Sequence, residues 1–276
     1  MSTISIILTT YNSETWLEKV LWGYTMQSYK DFELIIADDG STNHTKSVID
    51  SFQTVFKKPI VHVWQKDEGF QKTKVLNKAI IQATCQYILF SDGDCIPRND
   101  FVATHLKHMK KGYFLSGGYF KLNDFVSNSI SEIDIKKQSC FQTKWLKENG
   151  LKWNYKLIKL TNNKIFGYFM NWITPTKKTF NGHNTSCFKE DLIAVNGFNE
   201  DMKYGGLDRE IGERLLHNNI KGKQIRYSAI CLHLNHNRSY ATKDNWLKNN
   251  NIRQFNKKNK VIAIQNGLSK YLNNET

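Results

Sequence analysis

Apolar residues over the first 112 positions follow two spacings in turn. Residues 3–9 (TISIILT), 32–37 (FELIIA), 60–64 (IVHVW) and 86–91 (QYILFS) are short apolar runs rich in β-branched residues. Such runs predict strands buried on both faces. Between them Trp16, Leu17, Val20, Leu21 and Tyr24 recur at helical spacing. So do Val48, Ile49 and Phe52, and then Val75, Leu76, Ala79, Ile80 and Ala83. The alternation predicts an α/β fold with a parallel sheet and right-handed crossovers.

After residue 112 the alternation breaks. Residues 113–122 (YFLSGGYFKL) predict strands around a glycine turn, and 130–180 a helical, basic and aromatic stretch. Residues 183–188 predict a strand, Asp191 to Val195 a helix start, 197–206 a Gly-rich loop and 208–218 a helix. Residues 224–234 read as strand-like and 242–258 as a polar helix.

The polar clusters sit in one kind of place. Thr9 to Asn12, Asp38 to Ser41, Gln65 to Phe70 and Ser91 to Asp94 all follow the carboxyl ends of predicted strands. That edge is where open α/β sheets bind ligands. Asp92-x-Asp94 offers two carboxylates in one turn, the oxygen donors preferred by Mg²⁺ or Mn²⁺ holding a nucleoside diphosphate. A solvated turn is the plain alternative. Asp38-Asp39-Gly40-Ser41 reads either as a turn or as a carboxylate accepting the N–H of uracil. His233 and His236, in H-L-N-H after a predicted strand, read as a surface turn or as imidazole ligands for a borderline metal.

Composition narrows the classes. With 276 residues, 40% hydrophobic and 23% charged, the chain is an ordinary globular one. Only three prolines occur and no linker is visible. Five scattered cysteines without a CxxC argue against a disulfide framework or a zinc ribbon and fit a reducing cytosol. The first residues read as a strand rather than a signal peptide. No apolar stretch approaches the ~18 residues needed to span a bilayer. The expected location is cytoplasmic, peripheral to the inner face of the cytoplasmic membrane where it meets one. Net charge is +14, which invites polyanions or simply reflects a basic solvated surface. The stretch 144–180 sets Trp145, Trp153, Tyr155, Phe166, Tyr168, Phe169 and Trp172 among lysines. It reads as a helical subdomain with an aromatic core or as an interfacial surface for an anionic membrane. Nucleic acid is not an expected partner, because no recognised motif for it is present.

The order IILTTYN (6–12), ADDGS (37–41), a D-E-G-F…N-K-A helix (67–79) and SDGDCIPRNDF (91–101) resembles the family 2 glycosyltransferases with a GT-A fold. SGGYFKL (116–122), the segment 182–215 and CLHLNHN (231–237) resemble the C-terminal half shared with the β-1,4-galactosyltransferase and chondroitin polymerase groups. The resemblance implies a GT-A-like nucleotide-binding sheet flanked by helices, an acceptor-side half and a helical C-terminal tail. It implies one catalytic domain over 1–240: a nucleotide-sugar half (1–112) and an acceptor half (113–240) with a helical insertion at 125–180. Residues 241–276 would be a helical extension.

It further implies a metal-dependent, inverting transfer from a UDP-sugar to a bacterial surface glycan, such as lipopolysaccharide or capsule, free or lipid-linked. Carried over by motif, Thr10 and Asp39 would contact the nucleobase, with Asp38 an alternate for Asp39. Phe70 would stack near the uracil. Lys72 would stand near the phosphates where the galactosyltransferases have Arg, keeping the charge but losing bidentate geometry. Asp92 would hold the ribose and Asp94 the Mn²⁺ or Mg²⁺, with His233 as a further ligand and His236 as rival or co-ligand. In Tyr204-Gly205-Gly206-Leu207-Asp208, which resembles W-G-G-E-D, Tyr204 would pack on the sugars and Asp208 would be the general base. Leu207 departs from the usual Glu, which bears on acceptor identity. Asp208 also reads as a helix N-cap, and Glu210 and Glu213 are rival bases further into the helix.

Two other classes compete. A sugar-nucleotide pyrophosphorylase should carry a Gly-rich basic loop after the first strand, which TTYNSETW lacks. A basic nucleic-acid-binding module has no need of Asp38, Asp39, Asp92 and Asp94 on a ligand edge, since carboxylates repel phosphates.

Overall fold

The first half of the chain winds a sheet whose strands are apolar on both sides. In the computed structural model, which describes residues 3–236 and 242–272, it runs β1 (Ile4–Thr10), α1 (Glu14–Thr25), β2 (Phe32–Asp38), α2 (Asn43–Ser51), β3 (Val61–Trp64), α3 (Lys72–Gln82) and β4 (Tyr87–Asp92). Next come β5 (Cys95–Pro97), α4 (Phe101–His108), β6 (Tyr113–Ser116) and β7 (Gly118–Lys121). The middle holds α5 (Asp124–Ser129), α6 (Glu132–Lys136), α7 (Thr143–Glu148) and α8 (Lys164–Ile173), with 3₁₀ turns at Ser139–Phe141 and Tyr155–Leu160. The last part is β8 (Asn184–Phe188), α9 (Lys189–Ala194), α10 (Leu207–His217), β9 (Lys221–Gln224), β10 (Ile230–His233), α11 (Lys243–Lys258) and α12 (Ser269–Leu272).

Successive β1 side chains point to opposite faces. Ile4, Ile6 and Leu8 join Leu34, Ile36 and Leu89 beneath α1 and α2. Ile7 joins Ile35, Ala37, Ile88 and Phe90 beneath α3 and α10. Both layers are closed by helices, so a polar residue inside a strand needs a partner. Ser5 donates to Glu33, which also accepts from Thr84.

The sheet order is β3-β2-β1-β4-β8-β6-β9, with a smaller sheet β5-β10-β7 beside it. The helix-crossed strands β1 to β4 are parallel as expected, but the whole sheet is mixed, because β8 runs antiparallel to both β4 and β6. Residues 113–122 are two strands around Gly117 as expected, β6 entering the large sheet and β7 the small one. Two other readings are corrected. The strand-like stretch 224–234 is the end of β9, a turn and then β10. The segment 130–180 is only partly helical, in short pieces. Asn237, the last residue of the 231–237 motif, lies outside the described residues.

The antiparallel strand is what builds the far side of the ligand edge. Because β8 opposes β4, its start lies beside β4's carboxyl end, pairing Ser91 with Asn184. Asn184 is buried and donates through Nδ2 to the carbonyls of Gly118 (2.7 Å) and Ala229 (3.1 Å), tying β8 to the small sheet. In that sheet His233 pairs with Cys95, which brings β10's end to the Asp92–Asp94 turn.

The polar helix α11 packs on α10. Asn256 Nδ2 donates to Glu210 (2.8 Å), and Arg253 makes a bidentate pair with Glu213. Asn249 Nδ2 donates to the carbonyls of Lys203 (2.9 Å), Tyr204 (3.1 Å) and Gly205 (2.7 Å). One buried amide thus organises the Gly-rich loop. Asn249→Ala leaves those carbonyls short of a donor and is expected to cost about 1–3 kcal/mol of stability in urea unfolding. An unchanged midpoint would mean the loop is held by other contacts.

Candidate active site

Four strand ends and one helix start converge on a cleft of about 760 Å³ at the carboxyl edge of the sheet. That volume suits a ligand of nucleotide size. Thr10, Asp39, Phe70, Lys72, Asp92, Asp94, Tyr204, Asp208, His233 and His236 all line it. They span 227 positions of sequence, counted from Thr10 to His236, yet face one space.

One end of the cleft is built from two interlocked turns. Asn12 accepts from Thr42 N (2.9 Å), and its own N–H donates to Ser41 Oγ (2.9 Å). Gly40 has φ +98°, and a Cβ there would fall 2.6 Å from the Asp67 backbone, so this turn needs glycine. The two neighbouring aspartates part company. Asp38 is fully buried, accepting from Ser41 N (2.8 Å) and contacting His62 Nε2 (2.9 Å), and it closes the turn. Asp39 faces the cleft, its oxygens held by Gln65 Nε2 (2.7 Å) and Gln71 N (2.8 Å). Each oxygen keeps a lone pair for a further donor. Burial pushes the Asp39 pKa up, against those two hydrogen bonds. Thr10 Oγ1 is buried on the cleft wall with no hydrogen-bond partner among the described residues.

At the other end Asp92 Oδ1 accepts from Thr9 Oγ1 (2.6 Å) and from Lys72 Nζ (2.7 Å). Burial opposes the charge on Lys72, but the carboxylates of Asp92, Asp208 and Asp94 outweigh it and hold the ammonium well above its usual range. Lys72 is therefore a permanent cation in the cleft.

Asp94 meets both predicted histidines. His236 Nε2 donates to Asp94 Oδ2 at 2.8 Å, and His233 Nε2 lies 3.8 Å from the same oxygen. His233 Nδ1 is 2.8 Å from the Leu234 carbonyl, so it carries a proton there and leaves Nε2 as the atom that faces Asp94. Burial raises the Asp94 pKa, but the His236 hydrogen bond and the charges of His233 and His236 prevail and hold it well below the carboxylate range. Cys95 is also near, its thiol 3.2 Å from Asp94 Oδ1. Burial pushes that thiol well above its usual range, so it donates to Asp94 here, and Asp94, Cys95 and His233 bring their ligand atoms within 4.8 Å of one another. A carboxylate with two imidazoles fits Mn²⁺ or a similar divalent cation.

Asp208 is at the second position of α10, after Gly206 as N-cap, so it is not itself the N-cap residue. Its Oδ1 is buried without a hydrogen-bond partner among the described residues. Burial pushes the Asp208 pKa above 3.8, with Asp92 adding to the shift and Lys72 opposing it. The rival carboxylates are occupied elsewhere. Glu210 is buried against Arg214 (2.7 Å), Glu213 is paired with Arg253, and neither lines the cleft.

His183 and Trp246 are among the lining residues that carry no role in the sequence reading. His183, from the loop before β8, presents a buried Nε2 with no hydrogen-bond partner among the described residues, and packs against Tyr119 (ring centroids 4.6 Å). Burial pushes its pKa down to about 4, so it is neutral. Trp246 of α11 stands edge-on to Tyr204 (6.1 Å), which is edge-on to Phe70 (5.7 Å), giving one aromatic wall. Gly205, at φ +107°, lies against the Trp246 ring, where a Cβ would approach to 2.8 Å. A lone Trp in a polar helix was the only signal of that contact.

Comparison with known proteins gives concordant results. The profile described as glycosyl transferase family 2 matches residues 5–173, and that described as the N-terminal domain of galactosyltransferase matches residues 165–237. A chondroitin synthase of Escherichia coli is 26% identical over 229 residues, 77% of this chain and 32% of its own length. The uncharacterized glycosyltransferase YfnE of Bacillus subtilis is 25% identical over 263 residues, 84% of this chain and 64% of its own. The chain thus spans about a third of the first relative and under two thirds of the second. The fold matches the crystal structure of S. aureus TarS 1-349 in complex with UDP-GlcNAc, with TM-score 0.57 and 18% identity over 86% of this chain and 60% of that one.

Proposed function

The chain belongs to glycosyl transferase family 2, and we propose that it transfers a sugar from a UDP-sugar to a hydroxyl of a bacterial surface glycan with inversion at the anomeric carbon. The observation that carries this reading is the presence, in one cleft, of a carboxylate–imidazole group at Asp94 and a buried carboxylate of raised pKa at Asp208. The first can hold the divalent cation of a nucleotide-sugar site, and the second can take the proton of an acceptor hydroxyl. On this reading residues 1–112 form the donor half and 113–240 the acceptor half.

Asp39, Thr10 and Phe70 hold the base, the first two by hydrogen bonding and the third by stacking. Asp92 takes the ribose. Lys72 lies against the diphosphate, already charged and already positioned by Asp92. Asp94, His233 and His236 would hold Mn²⁺ or Mg²⁺, which when bound offsets charge on the leaving diphosphate. The acceptor oxygen forms a bond to the anomeric carbon as the bond to the diphosphate breaks. Its proton passes to Asp208, and UDP leaves. Tyr204 and Trp246 provide an apolar wall for the sugars, the face that aromatic rings offer to sugar C–H groups.

Base selectivity tests the donor assignment. Calorimetry with UDP, GDP and ADP in the presence of Mn²⁺ is expected to show UDP binding at least about tenfold tighter, the scale set by one buried hydrogen bond that the wrong base leaves unmade. Equal affinities would remove Asp39 and Phe70 from base reading. UDP release from a panel of UDP-sugars then identifies the donor.

A further inference from the structure

We propose that the outer face of α8 docks on an anionic lipid bilayer. Ile165, Tyr168, Phe169 and Trp172 fall at i, i+3, i+4 and i+7, the stripe that normally turns a surface helix toward its core. Here the stripe faces outward: the four residues are 84%, 67%, 49% and 80% exposed. Phe169 and Trp172 pack on each other, with ring centroids 6.4 Å apart. The earlier residues Trp153 and Tyr155 are exposed as well, whereas Trp145 packs on the core. The interfacial reading of 144–180 therefore narrows to α8 and the segment just before it.

The helix is held by its other face, which is small and polar. Gly167 lies against the Tyr227 carbonyl, which a Cβ there would meet at 2.9 Å. Asn171 donates to Ser228 Oγ (2.7 Å) and accepts from Tyr227 N (2.8 Å), and its carbonyl accepts from Gln224 Nε2 (3.2 Å). The Asn163 side chain caps the helix start by accepting from Phe166 N (3.0 Å). Hydrogen bonds thus fix α8 with its apolar stripe outward, at a place where burial alone would turn it inward. An exposed apolar patch of this kind marks an interaction surface.

Charge selects the occupant. Residues 149–189 contain seven lysines and no Asp or Glu, and Lys156, Lys164, Lys177 and Lys178 are exposed. A second copy docked face to face would set two cationic rims against each other. Duplex nucleic acid would satisfy the lysines but gives Ile165 and Trp172 no apolar layer. An anionic bilayer satisfies both, taking the aromatic rings at the headgroup boundary and the lysines on its phosphates. The inference is independent of which sugar or acceptor the cleft takes.

Cosedimentation of the full chain with phosphatidylglycerol-containing vesicles, and with neutral phosphatidylcholine vesicles, tests it. Binding is expected to the anionic vesicles only and to fall at high salt. Phe169→Ser/Trp172→Ser is expected to weaken it by roughly tenfold or more, given the apolar area withdrawn from the interface. The melting temperature should not move, because neither ring is buried. Three results would overturn the proposal: no binding to anionic vesicles, binding indifferent to the double substitution, or self-association abolished by it in the absence of vesicle binding.

Discussion

Asp208→Asn is expected to abolish nearly all transfer while leaving the fold intact. A positioned general base contributes ~10²–10⁴-fold, and a comparable loss in kcat is expected. Asn keeps the shape of Asp and its place in the first turn of α10, but it takes no proton from the acceptor. The pH behaviour adds a readout that a structural role would not produce. The Asp208 pKa is raised by burial, and the base works only when ionised. Activity therefore falls as pH drops through that raised pKa, at higher pH than an ordinary aspartate would give. The stability effect has the opposite sense. A carboxylate with a raised folded-state pKa weakens the fold progressively as pH rises from 3.8 through that raised value, relative to its neutral form. Asp208→Asn should thus be no less stable than the native chain at pH 7, with the difference closing below 3.8. Near-native transfer by this variant, with the acid limb of the profile unmoved, would place the base elsewhere.

Removal of the divalent cation is expected to have the second large effect. A metal at a leaving diphosphate supplies several kcal/mol of charge stabilisation, which at 1.36 kcal/mol per decade is about 10²-fold or more in rate. Metal-stripped protein in EDTA should be inactive and recover with added Mn²⁺. Asp94→Ala should lose Mn²⁺ binding in calorimetry and be beyond rescue. His233→Ala and His236→Ala divide the ligand role. Weakened Mn²⁺ binding in both makes them co-ligands, and a loss confined to one assigns the ligand to it. Full turnover of the stripped protein in EDTA would sink the metal assignment and leave Lys72 as the cleft's electrophile.

Much of the first half of the chain is legible because its signals are local. A strand buried on both faces must be a short apolar run, and a crossover helix must show three- and four-residue spacing. The residues just after a parallel strand must meet the ligand edge. So the strands leading into Thr10, Asp39 and Asp92 follow from periodicity, and motif resemblance picks Phe70, Lys72, Tyr204, Asp208, His233 and His236, all of which line the cleft. Even there the sequence left Asp38 and Asp39 open. Which of two adjacent carboxylates turns inward depends on His62 and Ser41 on one side and Gln65 and Gln71 on the other, and these partners come from separate elements.

The pattern of apolar and polar residues determined the strands, the crossover helices and the edge on which ligands bind, because each is an interaction over a few residues or a rule of chain direction. Tertiary structure alone decided the antiparallel entry of β8, which brings His183 to the edge, and the pairing of β10 with β5, which sets two imidazoles beside Asp94. It also decided the docking of α11, which carries Trp246 into the cleft, and the outward turn of α8, whose stripe by spacing alone belongs in a core. Each of these rests on hydrogen bonds or ring contacts between residues far apart in sequence, such as Asn184 with Gly118 and Ala229, or Asn171 with Tyr227 and Ser228. No periodicity records such contacts, because their partners are chosen only when the chain has closed on itself.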